Sequence, residues 1–443
     1  MEYQTGVKKK DTLEITELLN AKTSEAVKVN GAVHTIRDMG TVAFVILRKR
    51  EGLLQCIYEE GSATFDLKEI KEASTLEVEG VLEQNEKAPN GIEIRMKKVK
   101  ILSQPEDEMM PLAISKWKLN TSLEAKLNYR SISLRNIRER AKFRIQEGLT
   151  RAFRDFLYSQ EFTEIHTPKI GAKSAEGGAN LFKLEYFHRP AVLQQSPQFY
   201  KQMMVGVFDR VFETAPVFRA EKHNTKRHLN EYTSLDFEMG YIENFEDIMA
   251  MEQEMLRYTF ARLQETCGAE LSLLKAEVPV ITEIPRIRFS EAKELVSRVY
   301  KRAFSEKLDF EPEEEKLLCE YVKKTTGSDF VFVTHYPSAK RPFYAMDSRE
   351  NPAVTESFDL LFRGLEVTTG GQRIHNYREQ VEKIESRGMH VEAFESYLMM
   401  HRCGMPPHGG LGLGLERFTA RLLGFENVRN ASLFPRDIHR LIP

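Results

Sequence analysis

The sequence contains few cysteines, and their spacing fits neither a metal site nor a disulfide framework. Cys56, Cys267, Cys319 and Cys403 are the four cysteines of the 443-residue chain, and they lie far apart. Structural zinc sites and disulfide-rich domains use closely and regularly spaced cysteines. We therefore expect four unpaired thiols, most of them buried.

Long apolar runs and an excess of one charge are also missing. No apolar stretch approaches the roughly 20 residues that a membrane-spanning helix needs, and the charged first residues are not followed by the apolar segment of a secretory signal. The formal net charge is only −2, so a nucleic-acid surface would have to be local. These features predict a globular, cytoplasmic protein that does not bind membranes.

The chain changes character along its length, which predicts two or three domains. Between residues 26 and 102 five short β-rich runs occur, with a helical piece between the third and fourth, the pattern of an OB-fold barrel. We expect this barrel over 1–104, a proline-containing linker over 105–130, and a large mixed domain over 131–443 with a small insertion around 285–345. The large domain opens with a long amphipathic helix.

The stretch "FRAEKHNTKRHLNEYTSLDFEM", residues 218–239, carries many charges between segments that otherwise resemble buried strands. Alternate residues of a strand share a face, so Ser234, Asp236 and Glu238 should lie opposite Leu235 and Phe237. Burying unpaired charges is costly, so a hairpin with one charged face should meet a charged ligand. The alternative is an ordinary solvated face of an antiparallel sheet.

Three further stretches combine polar residues with backbone that a ligand could approach. "GLGLGLERFTARLLG" runs alternating glycines into a helix that carries an arginine, which suits phosphate binding. "FDLLFRGLEVTTGGQRIHN" contains a candidate carboxylate ligand for a hard metal ion. The third comprises "SAEGGANLF" and "LQQSPQFYKQMM", which place polar side chains beside apolar ones. Each stretch alone could be purely structural.

Together these stretches resemble a known enzyme family. "FTEIHTPKI", "FRAEKHNTKRHLNEYTSLDFEM" and "GMPPHGGLGLGLERF" resemble, in order, motifs 1, 2 and 3 of class II aminoacyl-tRNA synthetases. "TPKIGAKSAEGGANLF", "QSPQFYKQ" and "LFPRDIHRLIP" are similar to the aspartyl-tRNA synthetases of the archaeal and eukaryotic type. The resemblance implies an α+β catalytic domain built on an antiparallel sheet, preceded by an all-β OB-fold barrel.

The resemblance also implies ATP-dependent activation of L-aspartate, followed by transfer to the 3′ end of tRNA. Arg219 is then expected to bridge the α-phosphate and the aspartate carboxylate, and Glu221 to read the adenine amino group. Arg417 would close the other side of the base or hold the γ-phosphate, and these three are the expected catalytic residues. Further ATP contacts are expected from Arg227 and His228 at the outer phosphates, Tyr232 stacked on adenine, Gly414, and Glu366, which would hold Mg²⁺ together with Thr369.

Selection of aspartate is expected to follow from charge matching. By resemblance, Arg373 grips the substrate β-carboxylate, Lys201 adds a second positive charge, and Asp236 fixes Lys201 in place. Glu176 and Gln198 fit the family's contacts to the substrate α-amino group and side chain. One difference from the family is Thr369, which stands where serine is typical; it keeps the hydroxyl, but its methyl group makes χ1 stiffer.

In the barrel, the resemblance implies an anticodon reader. Phe44 would stack on a splayed base and Gln55 would read its edge, with Glu93 as a third base contact. Without the resemblance, Phe44 would be a core ring and Gln55 a surface polar residue. His34 and Pro89 occupy positions where relaxed members of the family tend to have histidine and proline, which predicts charging of both tRNA(Asp) and tRNA(Asn).

Other functions stay open at this point. Asparaginyl-tRNA synthetase resembles the chain broadly, but it usually lacks the lysine at 201 and has glutamate at 236. An amide ligase that activates aspartate typically lacks the barrel, and a catalytically silent binder should have lost some of Arg219, Glu366 or Arg417. The motif 1 segment, with Pro168 near its centre, also predicts an isologous homodimer.

Overall fold

The computed structural model describes residues 10–107, 109–173, 180–223 and 225–443. Two compact units divide the chain, Met1–Glu139 and Arg140–Pro443. Among the described residues no cysteine forms a disulfide; Cys56, Cys267 and Cys319 are buried, and Cys403 is exposed. No helix in this described part of the chain has the length and hydropathy of a membrane span.

The first unit contains a closed five-stranded barrel in the order β1-β2-β3-β5-β4. Its strands are β1 Ala26–Asp38, β2 Val42–Arg48, β3 Leu53–Glu59, β4 Thr75–Gln84 and β5 Ile92–Ser103. Alternate residues fill the interior, as Ala43, Val45 and Leu47 do on β2, because successive side chains of a strand point to opposite faces. The predicted OB-fold barrel is confirmed.

The helices of this unit are short. They are α1 Ile15–Leu19, α2 Leu123–Asn128 and α3 Arg130–Ser133. The helical piece predicted between the third and fourth strands is a single 3₁₀ turn, Leu67–Glu69, where the Asp66 side chain accepts from the Lys68 backbone N–H. Within 105–130, where the sequence predicts a linker, the chain forms α2, whose N-terminus is capped by Ser122.

The second unit is built on an eight-stranded sheet in the order β12-β13-β14-β15-β16-β11-β10-β6. Its strands are β6 Thr163–Glu164, β10 Arg210–Phe218, β11 Glu231–Gly240, β12 Arg286–Arg288, β13 Phe330–Thr334, β14 Ser357–Phe362, β15 Leu365–Arg373 and β16 His408–Gly414. The inner pairs are antiparallel, as predicted, but both edge strands are parallel to their neighbours. A smaller sheet has the order β7-β9-β8, formed by Ile170–Gly171, Arg189–Leu193 and Lys183–Tyr186.

Helices cover one face of the main sheet. The helices of this unit are α4 Ile137–Ser159, α5 Gln198–Phe208, α6 Glu246–Thr266, α7 Gly268–Leu274, α8 Phe289–Tyr300, α9 Pro312–Thr326, α10 Tyr377–Ser386, α11 Glu395–Cys403 and α12 Leu415–Leu422. The predicted long amphipathic helix is α4, which starts in the first unit and packs Ile145, Leu149 and Phe153 into the core against Phe237 and Leu411 of the sheet. The polar face of the same central strands is left to form a site.

The segment predicted as a small insertion, 285–345, extends the edge of this sheet. It contributes β12 and β13 to the main sheet. Helices α8 and α9 bury Phe289, Leu318 and Val322 against β13. The N-terminal part of α9 also reaches β15, where the Glu366 backbone N–H donates to Glu315 Oε2 at 3.1 Å.

Candidate active site

A cavity of about 740 Å³ lies over the polar face of the central strands. It collects thirteen of the site residues predicted for the second unit: Gln198, Lys201, Arg219, Glu221, Arg227, His228, Tyr232, Asp236, Glu366, Thr369, Arg373, Gly414 and Arg417. The remaining one, Glu176, lies outside the described residues. The described parts of the four sequence stretches that line the cavity thus come together at one place.

Strand β11 forms the acidic floor of the cavity. Ser234 and Asp236 line the cavity, while Leu235, Phe237 and Met239 belong to the hydrophobic core on the other face. The predicted alternation of the hairpin is therefore confirmed. Glu238 shares the face of Asp236 and is completely buried.

Glycines on the neighbouring strand β16 make room for these acids. Asp236 pairs with Gly412 and Glu238 pairs with Gly410 across the ladder. A Cβ atom on Gly410 would lie 2.2 Å from both the Glu238 carboxylate and the Phe237 carbonyl oxygen. The absence of a side chain at Gly410 is what allows Glu238 to lie against β16.

Two buried cations pair with the two acids. Lys201 Nζ lies 3.0 Å from Asp236 Oδ1 and 3.3 Å from Glu238 Oε2, and it donates to the Leu411 carbonyl oxygen at 2.9 Å. Arg373 donates through Nε to Glu238 Oε1 at 2.9 Å. Burial opposes ionisation of Glu238, but Arg373 and Lys201 outweigh it and hold the pKa of Glu238 below its usual value.

Helix α5 positions Lys201 together with Gln198, one turn earlier on the same buried face. The Gln198 Nε2 atom is buried and has no hydrogen-bonding partner among the described residues. A buried amide normally has a partner, so Gln198 is suited to donate to a ligand in the cavity.

At the other end of the cavity, two carboxylates and a hydroxyl lie on adjacent strands. Thr369 donates to Glu366 Oε1 at 3.0 Å, and Thr369 pairs with Asp359 across the β14–β15 ladder. Burial works against ionisation of Glu366, but Arg417 and Thr369 outweigh it and lower its pKa. Burial raises the pKa of Asp359 to about 6, and the charge of Glu366 adds to this shift while Arg341 opposes it.

These oxygen atoms suit a hard divalent cation. Mg²⁺ is usually held by one or two carboxylates together with substrate phosphates, and Glu366 and Asp359 provide two carboxylates whose mutual repulsion a cation would relieve. In the part of the chain that the structure describes, no group of three or more His, Cys, Asp or Glu side chains is arranged to hold a metal ion. A site of this kind therefore needs oxygen atoms from a substrate as well.

Basic residues from α12 and from the loop between β10 and β11, here called the hairpin loop, border the end of the cavity that contains Glu366. Arg417 donates to the carbonyl oxygen atoms of Arg227 at 3.3 Å and of Glu366 at 3.2 Å. Asn230 fastens the base of the loop, because its Nδ2 donates to the Arg219 carbonyl oxygen at 2.7 Å and to that of Glu221 at 3.1 Å. Burial, reinforced by Arg417, lowers the pKa of His228, so its ring is neutral at pH 7.

Tyr232 and Arg417 border a gap at Gly414. A Cβ atom on Gly414 would lie 3.9 Å from the Tyr232 ring and 3.9 Å from Arg417 side-chain atoms. The space beside this glycine therefore has an aromatic ring on one side and a guanidinium-bearing chain on another, an arrangement suited to a flat ring system.

Three of the predicted anticodon residues, Phe44, Gln55 and Glu93, point away from the barrel interior, although Gln55 and Glu93 are themselves buried. Gln55 donates to Glu93 Oε2 at 2.8 Å, and Asn85 donates to the same oxygen atom at 2.9 Å. Phe44 lies on the outward face of β2, since its neighbours Ala43 and Val45 point inward.

The two remaining barrel residues differ in exposure. His34 lies at a β-bulge between Val33 and Thr35 and is only 3% exposed. Pro89 begins a 3₁₀ turn, Pro89–Gly91, directly before β5, and is partly exposed.

Four residues of these sites were not assigned a role from the sequence. Glu238 could have been, because it follows Asp236 by two residues on the same strand face. The sequence gives no sign of the neighbours of the other three, Asp359, Asn85 and Glu315. The Glu315 carboxylate contacts Arg227 and the backbone of Glu366.

Comparison with known proteins agrees with this geometry. Residues 122–438 match the family described as tRNA synthetases class II (D, K and N), and residues 27–102 match an OB-fold nucleic acid binding domain. A structure of asparaginyl-tRNA synthetase from Pyrococcus horikoshii complexed with asparaginyl-adenylate is similar, with a TM-score of 0.87 and 29% identity over 95% of this chain and 97% of that one. Aspartyl tRNA synthetase from Entamoeba histolytica aligns with a TM-score of 0.86 and 30% identity, over 98% of this chain and 93% of that one.

Two curated relatives align over nearly their whole length. The Aspartate–tRNA(Asp/Asn) ligase of Deinococcus radiodurans is 48% identical, over 97% of this chain and 98% of the relative. The Aspartate–tRNA(Asp) ligase of Pyrococcus furiosus is 41% identical over the same shares of the two chains. The chain therefore belongs to the class II tRNA synthetases of the D, K and N group.

Proposed function

We propose that this chain is an aspartate–tRNA ligase that charges both tRNA(Asp) and tRNA(Asn). The observation that carries the proposal is the pair of buried cations, Lys201 and Arg373, held by Asp236 and Glu238 in the floor of the cavity. Two fixed positive groups side by side suit a substrate whose side chain is a carboxylate. The barrel with its polar outer face supplies the surface for a tRNA anticodon.

Binding of aspartate follows from these contacts. Arg373 is held through Nε by Glu238 and donates to the Gly410 carbonyl oxygen at 2.9 Å, so its guanidinium is fixed before the substrate arrives. Such preorganisation reduces the entropy lost on binding. Asparagine, with a neutral amide in place of the carboxylate, gains less from the two charges, which favours aspartate.

Activation joins the aspartate α-carboxylate to the α-phosphate of ATP. A carboxylate oxygen forms a bond to phosphorus, the bond to the bridging oxygen breaks, and pyrophosphate leaves. Negative charge gathers on the phosphates during this step, so Arg219, Arg227 and Arg417 act by positioning and charge stabilisation. The adenine fits between the Tyr232 ring and Arg417, with Glu221 at its amino group.

Mg²⁺ would be held by Glu366 and Asp359, with the Thr369 hydroxyl beside them, and would supply positive charge to the phosphates. In the second step a ribose hydroxyl at the 3′ end of the tRNA attacks the activated carbonyl carbon, and AMP leaves.

The tRNA choice is supported by the relatives. The proteins of Deinococcus radiodurans and Thermus thermophilus, 48% and 46% identical, are both named Aspartate–tRNA(Asp/Asn) ligase. On the barrel, Phe44 offers a ring for stacking, and Gln55 and Glu93 offer a fixed pair of polar groups for a base edge. We place anticodon recognition in 1–104 and the chemistry in 131–443.

The proposal is tested by aspartate-dependent exchange between ATP and labelled pyrophosphate, followed by charging of purified tRNAs. Exchange together with charging of tRNA(Asp) is the expected result. Exchange without charging would indicate an amide ligase, exchange with asparagine instead of aspartate would indicate the asparagine enzyme, and neither activity would indicate a silent binder.

We further propose that the protein is an isologous homodimer assembled around the motif 1 segment. Pro168 and Ile170 line a surface cavity of about 530 Å³ together with Tyr186, and both Ile170 and Tyr186 are exposed. Exposed apolar groups around a surface cavity are typical of interaction sites. Light scattering at micromolar concentration should give twice the chain mass of 51.2 kDa, and Ile170→Lys should lower it; a monomeric mass for the wild type would contradict the proposal.

A further inference from the structure

Helix α9 brings a carboxylate, that of Glu315, into contact with two residues that line the cavity, Arg227 and Glu366. Glu315, in the first turns of this helix, is almost completely buried. Its Oε2 atom accepts from the Glu366 backbone N–H at 3.1 Å and from the Arg227 guanidinium. One carboxylate oxygen thus joins the hairpin loop to strand β15.

Arg417 joins the same two partners through their backbones. It donates to the carbonyl oxygen of Arg227 and to that of Glu366. Arg227, Glu315, Glu366 and Arg417 therefore form a closed ring, referred to below as the phosphate ring. Its members come from the hairpin loop, α9, β15 and α12, so the loop is tied to the sheet at one point by Glu315 and at another by Arg417.

The hairpin loop is also held beside Arg227, where the Lys226 carbonyl oxygen accepts from the Val428 N–H at 3.0 Å and the Thr225 carbonyl oxygen accepts from Arg429 at 3.2 Å, but neither contact holds the Arg227 side chain. Arg227 Nε is buried without a hydrogen-bonding partner among the described residues, so the contact of its NH2 with Glu315 is what fixes the guanidinium plane. A long arginine side chain loses rotamer entropy when it is immobilised. A contact already present before ATP binds removes most of that cost from the binding step.

We propose that Glu315 is a positioning residue for ATP, which holds Arg227 in the orientation that meets the outer phosphates. The proposal rests on the proposed function for the identity of the nucleotide. Glu315 is not among the residues that line the cavity and contacts Arg227 and the Glu366 backbone N–H, so it acts through Arg227 rather than by touching ATP. The segment 285–345 thereby takes part in substrate binding as well as in the architecture of the sheet.

Helix α9 also provides a matched control. Glu314, the preceding residue, is fully buried and pairs with Lys293 at 2.6 Å, and it accepts from the Glu311 backbone N–H at 2.8 Å. It is a buried glutamate of the same helix turn as Glu315, with a capping contact to Glu311, and none of its hydrogen bonds or ion pairs in the described part of the chain involves the phosphate ring. Glu314→Gln therefore reports what loss of a buried charge in α9 does to stability alone.

The experiment compares wild type, Glu315→Ala, Glu315→Gln, Arg227→Ala, Glu314→Gln and the double variant of Glu315→Ala with Arg227→Ala. We measure equilibrium binding of Mg–ATP, kcat/KM for ATP in pyrophosphate exchange, and single-turnover transfer from preformed aspartyl-adenylate to tRNA. Glu315→Ala should weaken ATP binding and lower kcat/KM for ATP by about tenfold or more, while transfer, which no longer involves the outer phosphates, should stay within about twofold.

Two comparisons separate positioning from general damage. Glu315→Gln keeps an oxygen that can accept from Glu366 N–H and should fall between wild type and Glu315→Ala. In the double variant the two losses should be strongly non-additive, because both changes remove the same contact. Glu314→Gln should leave ATP binding at the wild-type level even if it lowers the melting temperature.

The outcomes separate this inference from the proposed function. ATP binding unchanged in Glu315→Ala but weakened in Arg227→Ala would overturn the role of Glu315, and so would equal losses in ATP binding and in transfer. A wild type that binds ATP but shows no aspartate-dependent exchange would overturn the proposed function, while the ATP-binding series would still decide the role of Glu315. Wild-type protein that does not bind ATP would overturn both.

Discussion

The arginines Arg219 and Arg417 both line the cavity, and both lower the pKa of Glu366 through their charge. We predict that Arg219→Ala or Arg417→Ala lowers aspartate-dependent exchange by about 100-fold or more, since one oriented charge contact at such a site contributes roughly 3 kcal/mol to transition-state stabilisation. Binding of tRNA, measured by filter retention, should be kept because the barrel surface is unchanged.

A surface arginine serves as the control for these variants. Arg262 pairs with Glu265 on the outside of α6, so Arg262→Ala should leave exchange within about twofold of wild type. Near-normal exchange in both Arg219→Ala and Arg417→Ala would remove the proposed site.

Glu252 of α6 predicts a pH dependence of stability. It is fully buried, and burial raises its pKa to about 8 from 4.5, although the Thr368 hydroxyl opposes this shift. Between pH 4.5 and 8 the native protein therefore holds a proton that the unfolded chain has released, so this group makes stability fall as pH rises, by up to about 1.4 kcal/mol per pH unit.

The test is Glu252→Gln, which cannot ionise. Thermal unfolding of wild type and variant should give similar melting temperatures near pH 5, and the variant should become the more stable of the two as pH rises toward 8. A difference between the two proteins that is constant from pH 5 to 8 would contradict the raised pKa.

For single residues, the sequence predicts neighbours within one helix or strand better than it predicts contacts between residues of different elements. The contact of Lys201 with Asp236 was expected because the resemblance supplied it, and the alternation that places Asp236 in the cavity follows from strand geometry. Glu315 and Asp359 could not be found in this way. Their partners lie on other elements, and their roles depend on how α9 and β14 pack against the central strands.

Among the elements, strand β16 depends most closely on its glycines. At Gly410 an added Cβ atom would lie 2.2 Å from a backbone oxygen atom of β11 and from the Glu238 carboxylate, and a backbone neighbour in the middle of a sheet cannot move away. We predict that Gly410→Ala destabilises the protein by about 1–3 kcal/mol, and that it weakens aspartate binding by displacing Glu238 from Arg373.

Gly268 is the matched control, because an added Cβ atom there meets nothing within 4 Å. Gly268→Ala, at the start of α7, should leave the melting temperature and the KM for aspartate close to wild type. If Gly410→Ala behaves in the same way, β16 is more adaptable than its packing indicates.

The elements themselves were predicted unevenly. Strands β10 and β11 and helix α4 were predicted because their periodicity is long and regular. The parallel direction of the edge strands β6 and β12 could not be, because a run of two or three residues has no period from which direction or pairing follows. The helical piece between β3 and β4 is only a 3₁₀ turn, Leu67–Glu69. A short isolated helical segment is marginal because nucleation costs more than its few hydrogen bonds return.

At the scale of the whole molecule, the chain forms two compact units, and we propose that the barrel of the first chooses the tRNA while the cavity of the second chooses the amino acid. The barrel was predicted from five β-rich runs, and the catalytic sheet from motifs that lie far apart in sequence. The order of the strands in that sheet could not be predicted from the motifs alone, because it depends on long-range pairing between β16 and both β11 and β15.

The choice of tRNA is expected to depend on two residues of the barrel, His34 and Pro89. The aspartate and asparagine anticodons differ at the third base, and strict members of the family typically carry tryptophan and lysine where this chain has His34 and Pro89. A missing base contact of about 1–3 kcal/mol is enough to admit the second tRNA. We therefore expect aspartate charging of tRNA(Asp) and tRNA(Asn) transcripts at kcat/KM values within about tenfold of each other.

The two positions differ in exposure. Pro89 is partly exposed in the turn before β5, whereas His34 is nearly buried at the bulge of β1, so we expect a lysine donor at 89 to be the more accessible of the two changes to a base. Pro89→Lys should therefore shift the preference toward tRNA(Asp) more than His34→Trp does, and the double variant should shift it most. Val280→Lys, at a position of the catalytic unit that is 85% exposed, controls for the added charge and should not change the ratio. A wild-type preference for tRNA(Asp) above about a hundredfold, roughly 2.7 kcal/mol, would rule out relaxed charging.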